Sequence, residues 1–384
     1  MQHPCLLAIF VASSLGLAQA PPTPKKPLDQ IQVLALLAGG VSTQQSAMLV
    51  NEQGISFEPT EDCLTALKDA GADDVLLAAL RVAKQTKPDV LSAEAAATRG
   101  EVQGHLARAA RQSHAKLYRE AEHECRAALQ LEPDNPDLHF ALGRILVEQN
   151  KIDLATAEFR TAVRLRPDDV KSHLNLGTAL SLTGDQGGAI AEYRTVIRLQ
   201  PEDASAHYDL GTALAQKGDL ERAVAEFRAA IQLQPDSAPA HYNLGMALKE
   251  RGDLDGAIAE YRTATRLQPD FADAHNNLGI ALGEKGDVDG AAAEYRSAIR
   301  LQPGNEAAHF NLSRILAQKG DVDGTIAECR AAIRLRPDRA WTHAILGIAL
   351  ATRGDRRAGF EELSTAHRLD PANSFFAQWY EKLR

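Results

Sequence analysis

Two columns of polar side chains recur along this chain at a spacing of 34 residues, and each suggests a chemistry. His105, His139, His173, His207, His241, His275, His309 and His343 form the first, and imidazoles in register could bind metal or relay protons. Asn175, Asn243, Asn277 and Asn311 form the second, with Asp209 in place of one amide and Ala141 and Ile345 ending the row. A primary amide donates through N–H and accepts through its carbonyl, so a row of them can hold a peptide backbone without reading its side chains. An extended peptide advances roughly 3.3 Å per residue, so rungs on the order of 10 Å apart would meet about every third residue. The carboxylate of Asp209 accepts but does not donate, which biases the row toward donor-rich or basic segments. The competing expectation is that these amides only cap or solvate the surface.

Sharing a metal ion between neighbouring histidines fails on distance. Packed helices lie about 8–10 Å apart, whereas zinc–nitrogen bonds are about 2.0–2.1 Å long. The expectation is a packing imidazole in an aromatic slot, hydrogen-bonded between helices, whose protonation below about pH 6 loosens the stack. Tyr208, Tyr242 and Phe310, with Phe140, precede the amide column and either contact a ligand or pack against neighbouring helices. Glu124, Glu158, Glu192, Glu226, Glu260, Glu294, Glu328 and Glu362 form a further column, with an arginine two residues later in most units, such as Arg160 and Arg296. Alternating acid and base read as a solvated face with inter-repeat ion pairs, each contributing little. Cys125 and Cys329 share a column with Phe159, Tyr193, Phe227, Tyr261 and Tyr295, which makes them buried thiols rather than nucleophiles. The chain has no Gly-rich phosphate loop, nucleophile elbow, HExxH helix or paired-carboxylate motif. No catalytic residue, metal site or cofactor is expected.

The elements that must carry these columns follow from the same period. Proline recurs at 133, 167, 201, 235, 269, 303, 337 and 371, and leucine two residues before each. A helix such as 272–285 ends at Gly286-Asp287, and glycine recurs there at 184, 218, 252, 320 and 354, with Asn150 in the same slot. Glycine, then asparagine, best tolerates the left-handed residue that ends a helix. A second helix such as 289–301 follows and the recurring proline stops it. On a helical wheel His275, Leu278, Gly279 and Leu282 share the packed face, and Asn277 falls roughly 150° away on the open side. Gly177, Gly211, Gly245 and Gly279 are expected to face Ala189, Ala223, Ala257 and Ala291. One such helix pair cannot bury its apolar face alone, so the units must stack.

This pattern resembles the tetratricopeptide-repeat family, with Leu-Gly in the first helix, alanine and an aromatic in the second, and a closing proline. The likeness covers residues 102–373 as eight repeats, the first degenerate, with Arg108 where the others have leucine. It implies an all-α, right-handed superhelical solenoid whose first helices line a concave groove for peptides or proteins. The fourth position departs from the family, which often has tryptophan there. Repeats reading AHxNLGxAL are most similar to those of O-linked N-acetylglucosamine transferase, but no catalytic domain follows them. In that family a similar asparagine ladder holds extended polypeptide.

The remaining segments are read by composition. Residues 1–20 look like a secretory signal peptide, cleaved after Ala20 or Ala18, with an uncleaved membrane anchor as the alternative. A Pro-rich spacer (21–27), a small helical module (28–85) and a polar, alanine-rich linker (86–101) precede the repeats. Residues 374–384, SFFAQWYEKLR, read as a capping helix for the exposed end of the array. A net charge of −9 argues against nonspecific nucleic-acid binding. The expected protein is an exported, non-enzymatic scaffold for a protein or peptide partner, without a membrane span in the mature chain. A structural spacer, or an adaptor for an envelope assembly or a glycosyltransferase complex, is the alternative.

Overall fold

The computed structural model describes residues 27–85 and 93–383. The expected leader, most of the Pro-rich spacer and the first half of the expected linker lie outside the described residues. All regular elements among the described residues are α-helices, with two isolated parallel bridges, Leu28 to Ile55 and Ile55 to Gln85. No described helix is long and apolar enough to cross a membrane. The chain forms two compact units, one ending at Gly218 and one beginning at Asp219.

The first unit opens with four short helices, α1 (Gln30–Ala38), α2 (Thr43–Gln53), α3 (Glu61–Asp69) and α4 (Asp74–Val82). Asp29 starts α1 through a capping box, accepting from the Gln32 amide while Gln32 returns a bond to the Asp29 amide, both at 2.9 Å. The sequence QIQVLALLA is apolar nearly all round, and Ile31 and Val33 through Ala38 are buried. Such a helix must be covered on several sides. It packs on α5 (Ala93–His114) and α7 (Pro136–Glu148), and Arg99 of α5 closes an ion pair with Asp29 at 2.6 Å. Backbone bonds from Leu28 to Gly54 and from Ile55 to Lys84 tie the starts of the module's segments together. Gly54 is required there, because its φ is 75° and a Cβ would stand 2.5 Å from the Lys84 carbonyl.

Two expectations are corrected here. Residues 93–101, assigned to a linker, belong to the 22-residue helix α5. Their composition, AEAAATRG, is strongly helix-forming, and propensity prevails where polarity had suggested a loop. The 28–85 module is also not separate from the repeats, since α1 and α3 pack on α5.

From α5 onward helices alternate. In the first unit α6 (Tyr118–Leu131), α8 (Ile152–Leu165), α9 (Val170–Leu182), α10 (Gln186–Leu199) and α11 (Ala204–Gln216) stack in sequence. The second unit holds α12 (Leu220–Leu233), α13 (Ala238–Glu250), α14 (Leu254–Leu267), α15 (Ala272–Glu284) and α16 (Val288–Leu301). It continues through α17 (Glu306–Lys319), α18 (Val322–Leu335), α19 (Ala340–Arg353), α20 (Arg356–Leu369) and α21 (Ser374–Leu383). The turn glycines from Gly184 to Gly354 have φ of 76–104°, and Asn150 has 58°. Each second helix ends two residues before its proline, where the pre-proline residue is pushed out of the helical region, as at Gln268 with φ −130° and ψ 88°.

The helix glycines meet a different partner from the one expected. A Cβ on Gly143, Gly177, Gly245 or Gly279 would lie 2.6–2.8 Å from the ring of Phe159, Tyr193, Tyr261 or Tyr295. The close approach thus seats an aromatic ring four residues beyond the expected alanine. At the end of the second unit Phe376 of α21 is buried with Ala344, Leu363 and Ala366, and Trp341 packs edge-on against it at 4.9 Å. Tyr380 stacks on Phe360 at 4.9 Å, which covers the outer side of α20.

Candidate functional site

The histidines sit inside the repeats, and six of the rings are held at both nitrogens. Nδ1 of His139, His173, His241, His275, His309 and His343 lies 2.6 Å from a carboxylate oxygen of Glu158, Glu192, Glu260, Glu294, Glu328 and Glu362 respectively. The Nε2 atoms lie 2.9–3.1 Å from the carbonyls of Pro133, Pro167, Pro235, Pro269, Pro303 and Pro337. The glutamate column is therefore the partner of the histidine column, not a solvated stripe of inter-repeat pairs. It was misread because the two residues are 19 apart in sequence and meet only when the second helix folds back. The bond from the glutamate raises the imidazole pKa above its ordinary value in His173, His241, His275, His309 and His343. In His139 burial opposes the rise, and the Glu158 and Pro133 bonds outweigh it. Protonation therefore tightens these contacts, opposite to the loosening expected from the sequence.

The thiols are inert by position. Burial pushes Cys125 up to about 12 and Cys329 to about 11, and Cys63 upward as well.

The amide column lies on the first helices but is less open than expected. Asn277 is half-buried and its Nδ2 donates to the Tyr242 hydroxyl of the preceding repeat at 2.8 Å. Asn311 donates to Asn276 Oδ1 at 3.3 Å, again one repeat back. Asn243 is only 8% exposed, which corrects its placement on an open surface. In the second unit Tyr242 and Asn276 reach the amides of Asn277 and Asn311 from one repeat back, so a single-helix wheel overstates their exposure. In the first unit Asn175 donates to the Lys171 carbonyl at 2.9 Å and its oxygen accepts from Arg144 at 3.3 Å. The Asn277 oxygen also accepts from Asn276 Nδ2 at 3.4 Å, and the amides of Asn175, Asn277 and Asn311 each have a second N–H that these bonds do not use.

Asp209 differs from the amides in charge and in partners. Its half-buried carboxyl has no hydrogen bond among the described residues, and desolvation, with Asp203 adding repulsion, pushes its pKa up to about 7. Of the expected groove aromatics, Tyr208 is half-buried. Tyr242 packs on Phe271 at 4.8 Å and on Tyr261 at 5.9 Å. Phe310 is 7% exposed with the Arg339 guanidinium 3.5 Å above its ring, so its face is covered by a cation rather than open to a ligand.

Two contributors escaped the sequence reading. Arg144 donates to the Gly39 carbonyl at 2.9 Å and to Asn175, linking the C-terminal end of α1 to the first amide of the column. Arg144 stands where Thr178, Thr212, Met246, Ile280 and Ile348 occupy most other units, with Arg314 the other arginine of the column, so its signal in the sequence was weak. Asn276 is the other, acting as acceptor for Asn311.

Among known proteins, sequence profiles of tetratricopeptide repeats match residues 226–259, 245–286 and 281–340, and the TPR domain of cytochrome c-type biogenesis protein H matches 123–241. No curated protein matches the chain in sequence. Among solved structures, YrrB, described as a TPR protein with an unusual peptide-binding site, is 22% identical, with a TM-score of 0.42 over 48% of this chain and 95% of its own. MamA is 26% identical, with a TM-score of 0.41 over 42% of this chain and 95% of its own. PilF of Pseudomonas aeruginosa is 19% identical, with a TM-score of 0.48 over 53% of this chain and 92% of its own. The repeat profiles together run from residue 123 to 340, where the structure places its alternating helices and glycine–aromatic contacts. The chain belongs to the tetratricopeptide-repeat family.

Proposed function

We propose that this chain is a non-enzymatic scaffold that holds extended segments of a protein partner against the first helices of its repeats. The observation that carries this reading is the arrangement of the amides. Asn277 and Asn311 are each oriented by one bond to the preceding repeat, which fixes the side chain while leaving a second N–H for a backbone carbonyl; the Asn277 oxygen, which accepts from Asn276 at 3.4 Å, keeps one lone pair. Asn277 and Asn311 in the second unit, and Asn175 in the first, would contact the partner. Asn243 would support its neighbours from beneath. Asp209, lacking a protein donor, would favour a donor-rich or basic stretch. Tyr208 and Tyr242 would flank the segment, whereas Phe310 would act through Arg339.

The first-helix face is already partly occupied within the first unit. Helix α1 lies on α5 and α7, and Ala141, at the register of the amides, is fully buried. A partner would therefore meet the first unit from Asn175 onward. Export is part of the proposal. The apolar leader and the match to the cytochrome c-type biogenesis protein H domain favour an envelope compartment.

The test replaces Asn175, Asn243, Asn277 and Asn311 together by Ala, after confirming an unchanged helical melt. Captured proteins are then compared with those of the parent chain in envelope extracts. Loss of a specific protein supports the reading. Capture that is unchanged overturns it and favours a spacer or adaptor role exercised through other surfaces.

A further inference from the structure

The histidine contacts impose a proton count that the ring can meet in only one way. The Pro269 carbonyl is an acceptor only, so Nε2 of His275 at 3.1 Å must carry hydrogen. An ionised Glu294 is also an acceptor only, so Nδ1 at 2.6 Å must carry hydrogen as well. A neutral imidazole has one N–H and leaves one acceptor facing another, whichever tautomer it adopts. The doubly protonated ring satisfies both. The same geometry recurs in the repeats of His139, His173, His241, His309 and His343.

Each ring also joins three pieces of chain. Pro269 lies in the closing turn of one repeat, His275 in the first helix of the next and Glu294 in its second helix. We propose that this His–Glu–Pro arrangement is a repeated proton-dependent clamp, tying each closing turn to both helices of the following repeat, so that the array loosens as pH rises.

The charges facing the rings are alike in five of the six repeats. Besides the paired glutamate, Arg164, Arg266, Arg300, Arg334 and Arg368 of the second helices oppose the ring charge of His139, His241, His275, His309 and His343. Asp169, which caps α9, favours it at His173. The turn contributes its neutral proline carbonyl. The raised folded pKa places the stabilisation below the unfolded value of about 6.5, where it is fully present, and removes it as pH climbs through the folded value. The first repeat supplies an internal contrast. There Arg108 donates to Glu124 at 2.8 Å and also approaches His105 Nδ1 at 2.8 Å, so a permanent cation sits in the clamp.

The experiment compares urea unfolding of the full chain with that of a variant carrying E192Q, E260Q, E294Q and E328Q, from about pH 6 to about pH 9. A glutamine amide can donate to Nδ1 of a neutral ring, so the variant no longer needs the second proton. The parent's folding equilibrium should weaken with rising pH by up to about tenfold per ring for each unit of raised pKa, and the variant should lose most of that slope. Parallel profiles overturn the proposal. If the variant does not fold, the imidazole resonances of the parent decide. Rings that titrate above about 6.5 with both nitrogens protonated support the clamp, and rings that titrate at or below it refute it.

Discussion

The first helices α7 and α15 have the same internal chemistry and opposite surroundings. Both hold a histidine between a glutamate at 2.6 Å and a proline carbonyl, and both seat a ring against a glycine within 2.6–2.8 Å of its missing Cβ. On the outer face they diverge. Helix α7 presents Ala141, fully buried, and Arg144, which reaches the Gly39 carbonyl, because α1 packs there. Helix α15 presents Asn276 and Asn277, half-buried and bonded to the adjoining repeats. The backbone unit is therefore indifferent to what lies on its face, and a few residue choices decide whether that face takes a helix of the same chain or remains available.

The shared half of this comparison predicts the largest effects. Gly143→Val and Gly279→Val should each destabilise by about 3 kcal/mol, because the added atoms overlap the rings of Phe159 and Tyr295. Similar losses in urea melts of the two variants would confirm that the packing is common to both regions, and a large difference would break the comparison.

The divergent half is probed by Arg144→Ala. It removes the side-chain donor from the Gly39 carbonyl and from Asn175, at a cost of about 1–3 kcal/mol. Hydrogen exchange should quicken in α1, whereas Ile280→Ala at the same register of α15 should leave α1 exchange unchanged.

Asp209→Asn restores an amide at a position where burial disfavours a charge. The carboxyl has a folded pKa of about 7, above its unfolded value of 3.8, so the native state binds more protons than the unfolded chain between these limits. Stability therefore falls as pH rises through this window. The Asn variant should be more stable by about 1–2 kcal/mol above pH 7, discounted for partial solvent access, with the gain vanishing near pH 4. A gain that persists in acid would contradict the assignment.

The smallest effect belongs to Asn277→Ala. Losing its bond to the Tyr242 hydroxyl should cost about 1 kcal/mol in melting experiments. A much larger loss would make the amide chiefly structural and weaken its proposed contact with a partner.

The helical-repeat fold class was legible because it is written in local rules. Glycine and asparagine at the turns, proline after each second helix and leucine at the packed stripe need only short-range sterics and periodicity to be read. The same locality explains the errors at the candidate site. A wheel drawn for α13 alone exposes Asn243, but in the folded chain it is only 8% exposed. Polar composition hid the helix in 93–101, and a row of glutamates looked solvated although seven of its members, such as Glu294, meet a histidine.

The sequence by itself thus determined the period, the helix pairs and the turns that end them, since these depend on spacing along one chain segment. Tertiary structure alone decided that α1 covers the face of α5 and α7, that Arg144 bridges Gly39 and Asn175, and that imidazoles such as His275 are held by a carboxylate and a carbonyl. The physical reason is range. Helix termination and amphipathicity act over a few residues, whereas burial, partner choice and protonation depend on groups that folding brings together from 19 to 105 residues away.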